Sequence, residues 1–394
     1  MSSRTRWLLP AGIEEVLPEN AAVLELYRRK LLDLFSSWGY QLVIPPFIEF
    51  LDSLLIGDCE DLNLQTFKLT DQLSGRTMGV RADMTPQVAR IDAHMLKENA
   101  PTRLCYCGTV LHTLPQTAGG SRSPLQIGAE LYGHNGMSSD VEIIALMTAT
   151  LKAAGTNKLI VDLGHTGIFE SLVASANMTP DITSDLFSML QRKSTPDIEA
   201  LLKNVDCPSD IKSAIISLVS LHGDNGVLNQ ARKQLSCGGD AVANCINYLE
   251  TISQELASQL PDVDLRYDLA ESHGYHYQQG IVFTAFCSSS GTELARGGRY
   301  DNIGESFGRA RPATGFSADL RQLIAASNQP VSTRSNMIFA PAMNDNDLVN
   351  QIAKLRSEGE IVITALSNDK DEAKHIGCTR TLQKENNQWV IKEI

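Results

Sequence analysis

Apolar side chains return every third or fourth residue through Glu19–Trp38, at Val23, Tyr27, Leu31, Leu34, Phe35 and Trp38. That spacing gives a helix one apolar stripe, with Pro18 ahead of it as a start signal and Gly39 behind it as a stop. A strand is expected at Tyr40–Ile44, ended by Pro45–Pro46. Thr66–Leu69 and Arg76–Arg81 read as a hairpin across Asp71–Gly75, and Thr85–Pro86 opens a helix continued by Val88, Ile91 and Met95. The period then becomes two. Arg103–His112 and Leu125–Tyr132 are strands joined by a loop holding Gly119, Gly120, Ser121 and Ser123. In the second strand Leu125, Ile127, Ala129 and Leu131 share one face, and Gln126, Gly128, Glu130 and Tyr132 the other.

Asp140–Ala154 is apolar around much of its circumference and reads as a buried helix, followed by a strand at Lys158–Leu163. His165 falls in the turn Gly164-His165-Thr166 as a turn or cap residue. Over residues 170–262 strand signals give way to helical spacing, at Ile211, Ile215 and Leu218 and again at Ile246, Leu249, Ile252 and Leu256. Strands resume at Val263–Asp268 and Ile281–Phe286. The pattern predicts an α+β core over residues 1–325 with a helical insertion at 170–262. A linker follows at 326–335, then a small C-terminal α/β domain at 336–394: strand Met337–Pro341, helix Asp345–Glu358, strand Ile361–Leu366 and a hairpin through Asn386–Asn387.

Charge narrows the function classes. The 394 residues carry 34 basic and 46 acidic side chains, a net −12, and wrapping nucleic acid needs a basic face. The N-terminal apolar run is too short for a signal peptide, and no stretch approaches the ~18 apolar residues of a membrane span. Eight cysteines are scattered. Only Cys105 and Cys107 are close, on one strand face, with no second pair at zinc spacing, as for reduced thiols in a cytoplasmic protein.

Three places offer chemistry. Gln126 and Glu130 share a sheet face beside the glycine-containing loop, a setting for a small polar ligand. Asp83 and Thr85 lie between a strand end and a helix start, where they serve as caps or as an acceptor pair for an ammonium group. His273, Tyr275, His276 and Tyr277 crowd together before a strand, without the cysteines or HExxH helix of a metal site.

The hairpin at 103–133 resembles motif 2 of class II aminoacyl-tRNA synthetases, and LQIGAELYG resembles its histidyl-tRNA synthetase form. The helix–strand–proline order at 19–46 resembles motif 1, the dimer interface of that family, and GGRYD with PATGF resembles motif 3. The resemblance covers about residues 8–325 and implies a class II synthetase-like antiparallel sheet flanked by helices. The family's arginine that holds the ATP α-phosphate aligns with His112, and the glutamate that helps to place adenine with Leu114. Its RGLDYY arginine aligns with His273 and its motif 3 arginine with Gln322. Arg321 stands one residue early, turned by roughly 100° on a helix. The loop's single cation is Arg122. On the amino-acid side Asp83, Thr85, Gln126, Glu130, Tyr277 and Tyr300 keep the family's pattern, which with His273 and Tyr275 beside them implies a histidine site.

A triphosphate needs several fixed cations. Their joint loss, on a kept scaffold, resembles the histidyl-synthetase-like regulatory subunits of ATP phosphoribosyltransferase, the first step of histidine biosynthesis. The resemblance implies no catalytic residue, no cofactor and no metal. It implies a homodimer that joins the short-form catalytic subunit in a hetero-octamer, activates it and lets free histidine inhibit it. It implies neither tRNA nor a membrane as partner. The rival readings are a divergent histidyl-tRNA synthetase or histidine-adenylating enzyme, and an assembly protein with a vestigial pocket.

Overall fold

The apolar stripe becomes α1 (Pro18–Ser37) in the computed structural model, which describes residues 7–55, 60–115, 120–271, 279–327, 336–366 and 371–394. Tyr27, Leu31 and Phe35 carry its buried face. The strand after it, β1 (Gln41–Leu42), is shorter than the expected Tyr40–Ile44. Val43 still donates to the Cys105 carbonyl (2.9 Å), but Pro45 and Pro46 have no N–H with which to extend the ladder. Next come β2 (Ile48–Phe50), α2 (Leu51–Leu54), α3 (Glu60–Gln65), β3 (Phe67–Thr70) and β4 (Thr77–Val80). The expected hairpin is β3–β4, and β2 adds an unforeseen third strand in the order β2-β4-β3. α4 (Thr85–Arg90) runs on into a π-helical turn, Ile91–Leu96, closed by Lys97 at φ 56°.

β5 (Thr102–Thr109), β6 (Leu125–Tyr132), α5 (Met137–Ala153) and β7 (Leu159–His165) lead into the insertion. There α6 (Thr166–Ser175), α7 (Pro180–Gln191), α8 (Thr195–Lys203) and α9 (Ser209–Leu218) precede a short strand, β8 (His222–Gly223). α10 (Gly226–Gln234) and α11 (Gly239–Gln259) complete it. His165 caps α6, its ring accepting from Gly167 N (3.1 Å). β9 (Asp264–Asp268), β10 (Ile281–Cys287), β11 (Glu293–Arg299), β12 (Ala313–Asp319) and α12 (Leu320–Ala326) follow.

Nine strands form one sheet in the order β1-β5-β6-β12-β11-β10-β7-β9-β8. It is mixed rather than wholly antiparallel: β1 pairs with β5, and β7 with β9, in parallel. A parallel pair needs a long crossover, and between β7 and β9 the helices of the insertion supply it. One sheet face carries Phe316 and Arg299 and packs on α1 and α5, with Phe35 edge-on to Phe316 at 6.1 Å. The opposite face carries Tyr106, Glu130 and Gly315; α4 covers part of it, burying Met84, Val88 and Ala89 with Leu104, Tyr106, Tyr132, Tyr300 and Ala313.

The chain divides into two compact units, Met1–Gln329 and Pro330–Ile394. The second unit contains β13 (Ile338–Ala340), α13 (Asn346–Ser357), β14 (Val362–Thr364), α14 (Glu372–Ile376), β15 (Arg380–Glu385) and β16 (Gln388–Glu393). Its sheet order is β14-β13-β15-β16. Leu348, Ile352 and Leu355 of α13 pack on Ile338, Val362, Leu382 and Trp389. α14, one short turn, was not foreseen.

In the first unit a buried ion pair holds α5 to the sheet. Arg299 Nη2 lies 2.9 Å from each oxygen of Asp140 and 2.9 Å from Ser139 Oγ, and Tyr248 of α11 also donates to Asp140. Asp140 is 0% exposed and Arg299 7%. Removing one partner would strand the other charge in a dry interior, which costs about 3–5 kcal/mol. Asp140→Ala should therefore lower the unfolding free energy of this unit by that amount in urea denaturation. An unchanged midpoint would mean that the pair adds nothing net.

Candidate functional site

Alternation along β6 points Gln126, Gly128, Glu130 and Tyr132 under α4. Register sets Glu130 opposite Leu104 on one side and Gly315 on the other, and Gly128 opposite Tyr106. Both glycines are required by space: a Cβ at Gly315 would collide with Glu130 Oε2, and one at Gly128 with the Tyr106 hydroxyl.

Glu130 is 1% exposed and takes three donors. Its Oε1 accepts from Tyr106 (2.9 Å) and Thr85 Oγ1 (3.1 Å), and Oε2 accepts from the Tyr300 hydroxyl. Tyr300 lies 3.3 Å from the Tyr132 hydroxyl, their rings edge to face. Burial pushes the Glu130 carboxyl up to about 8, against the pull of the Tyr300 and Tyr106 bonds. Burial, then the Glu130 charge, raises the phenols of Tyr106, Tyr132 and Tyr300 well above their ordinary range. The sheet face that carries Gln126 and Glu130 is therefore enclosed at Glu130. There a closed ring of hydroxyls surrounds the carboxyl.

Beside it, Asp83 Oδ1 accepts from Gln126 Nε2 (2.7 Å) and from the Thr85 amide (3.0 Å), and Gln126 Oε1 accepts from the Met84 amide (2.9 Å). Asp83 is thus a local turn-former and part of the polar cluster together. Of the expected site residues, Asp83, Thr85, Gln126, Glu130 and Tyr300 come together. His273, Tyr275 and Tyr277 lie outside the described residues. Tyr106 and Tyr132 join the cluster without having been singled out. The available signal was register, since Tyr106 must face the same side as the residues flanking Gly128.

Four cations around the hairpin are already engaged, whereas Arg321 Nε is buried with no hydrogen-bond partner among the described residues. Arg122 donates to the carbonyls of His112 (3.0 Å) and Ala11 (3.1 Å) and lies over the Phe67 ring. Arg81 donates to Thr109 O (2.8 Å) and Pro45 O (2.9 Å). Arg296 pairs with Glu293, and Arg311 with buried Asp92 (2.8 Å). His112 is buried with Nε2 2.9 Å from Ala82 O, Leu114 is 73% exposed, and Gln322 spends its amide on Glu293 O (2.7 Å). Burial pushes the Asp319 carboxyl up, with the Arg321 and Leu125 amides and the Arg321 charge pulling it down.

Comparison with known proteins fits this geometry. A profile described as histidyl-tRNA synthetase matches residues 12–323, and one described as the ATP phosphoribosyltransferase subunit HisZ C-terminal domain matches 335–392. An ATP phosphoribosyltransferase regulatory subunit of Thioalkalivibrio sulfidiphilus (strain HL-EbGR7) is 52% identical over 395 residues, covering 100% of both chains. The chain belongs to the family of ATP phosphoribosyltransferase regulatory subunits. A crystal structure titled as such a regulatory subunit/histidyl-tRNA synthetase, from Bacillus halodurans C, superposes with TM-score 0.81 at 27% identity, covering 95% of this chain and 97% of that one. Histidyl-tRNA synthetase from Nostoc sp. PCC 7120 shares the fold, with TM-score 0.79 at 18% identity over 98% of this chain and 95% of that one. Membership makes this a non-catalytic chain on a synthetase scaffold. Among the described residues no helix is long and apolar enough to cross a membrane.

The hydroxyl ring has a pH signature. From the ordinary carboxyl range, 4.5, up to about 8, the folded chain keeps a proton on Glu130 that the unfolded chain releases. The folded state binds more protons in that window, so this group's stability contribution is full below it and is lost as pH rises through it. Glu130→Gln removes the titration. The melting temperature of the variant relative to the parent should rise steadily between pH 5 and 8.5. A pH-independent difference would refute a neutral buried carboxyl.

Proposed function

We propose that this chain activates a short-form catalytic subunit of ATP phosphoribosyltransferase and carries the histidine signal that inhibits it, in the cytoplasm. The observation that carries the reading is the imbalance of the site. Acceptor oxygens gather at Asp83, Gln126 and Glu130, and a ligand's N–H groups would have to replace the internal donors they now take, while the nearby guanidinium groups of Arg81, Arg122, Arg296 and Arg311 are spent on carbonyls and carboxylates. Acceptors suit the ammonium and ring N–H groups of histidine. A triphosphate would meet acceptors where it needs fixed cations. His273, Tyr275 and Tyr277 complete the proposed histidine site.

A homodimer is part of the proposal. Among the described residues β1 has a strand partner on one side only, and Leu42, Ile44, Phe47 and Ile48 are exposed beside it, Ile44 by 82%. An open edge with an apolar border favours association. Such homodimers, joined to catalytic subunits, would make the hetero-octamer. The net charge of −12 favours a protein partner over tRNA. Regulation then follows from linkage: histidine shifts the complex only as far as it binds the inhibited state better, typically ~1–3 kcal/mol or about 5–150-fold.

Calorimetric titration of the purified chain should show histidine binding and no ATP–Mg binding, with histidine binding abolished by Glu130→Ala. Added to the catalytic subunit, the chain should raise phosphoribosyl transfer and make it histidine-sensitive. Histidine-dependent ATP–pyrophosphate exchange would instead establish a divergent synthetase. Activation without histidine binding would leave an assembly protein.

A further inference from the structure

His112 is 4% exposed and held at three points. Its amide donates to Arg122 O (2.8 Å), its carbonyl accepts from Arg122 Nε (3.0 Å), and its ring Nε2 lies 2.9 Å from Ala82 O. A carbonyl oxygen can only accept, so in the neutral imidazole Nε2 carries the ring proton and Nδ1 is an acceptor. That Nδ1 is buried and has no hydrogen-bond partner among the described residues. An unpaired buried acceptor costs about 1–3 kcal/mol. The ring cannot turn to relieve it without giving up the Ala82 bond. Ala82 immediately precedes Asp83, whose carboxylate already organises Gln126 and Thr85. The ring is thus anchored to the residue that precedes the acceptor cluster.

We propose that His112 Nδ1 is a ligand acceptor that takes a hydrogen bond from a nitrogen donor of bound histidine, its ammonium or ring N–H. The proposal rests on the histidine-binding reading above and adds a residue to it. It also assigns His112 a part in specificity, because a lone pair fixed in this orientation repels an anionic oxygen and rewards a donor. A phosphate or carboxylate at this point would lose the bond that an N–H gains.

Two substitutions separate the ring nitrogens. His112→Gln reaches the Nε2 position, so it keeps the donor to Ala82 O and removes the acceptor at Nδ1. His112→Asn places an amide oxygen at the Nδ1 position and loses the bond to Ala82. Histidine is titrated calorimetrically into the full-length parent and both variants, and each melting temperature is recorded. His112→Gln should melt with the parent and bind histidine about ten-fold more weakly. His112→Asn should melt lower and keep its affinity within about three-fold. The reverse pattern, or equal loss in both, assigns His112 a purely structural bond and overturns the proposal, as does parent-like affinity in His112→Gln. A parent chain that binds no histidine removes the functional reading and this proposal together, whereas parent binding with an unaltered His112→Gln overturns the proposal alone.

Discussion

A carboxyl group enclosed on every side must be given donors, and much of the first unit is arranged to give them to Glu130. Thr85 comes from the start of α4, Tyr106 from β5 and Tyr300 from the segment after β11. None is near Glu130 in sequence, so the acceptor can be satisfied only when these elements have docked. Gly128 and Gly315 are the complement of this demand, being the places where a side chain would occupy the space that the ring uses. An unmet buried acceptor is expensive and a met one contributes modestly. The arrangement therefore acts chiefly by penalising every packing in which α4 sits elsewhere on the sheet.

The same economy explains how a synthetase scaffold persists without adenylation chemistry. Several arginines of this unit are turned inward. Arg81 fastens the Pro45 turn to the end of β5, Arg122 ties the hairpin loop to Ala11, and Arg311 joins the turn before β12 to Asp92 on the π-helical turn. Each does structural work that a carbonyl or carboxylate can reward. A chain that influences a partner through binding needs two states and a ligand that distinguishes them. It does not need a stabilised transition state.

Much of this was legible from periodicity. The alternation of β6 placed Gln126 and Glu130 on one face, and β6 spans the expected Leu125–Tyr132. The stripe of α1 and the helical character of the insertion were equally plain. What was missed was either short or non-local. β2, β8 and α14 are too brief for a period to repeat. The two parallel pairings depend on which strands meet, which no local pattern encodes. Tyr106 escaped notice for the same reason: only the register β5–β6 makes it a neighbour of Glu130. The enclosure of Glu130 was not legible, because the covering helix α4 could be recognised but its docking site could not.

The parallel pairing of β7 with β9 bears on how the chain acquires its shape during synthesis. Strand β9 must find β7 across about a hundred intervening residues, among the slower kinds of encounter in folding. β5 and β6, in contrast, are separated by only the 15 residues between Thr109 and Leu125. The hairpin bearing Glu130 is thus free to form while the ribosome is still making the insertion, and the far edge of the sheet closes only after α11 has emerged. For an interval the growing polypeptide holds β5 and β6 with an open border, which β12 covers only after β9, β10 and β11 have been made.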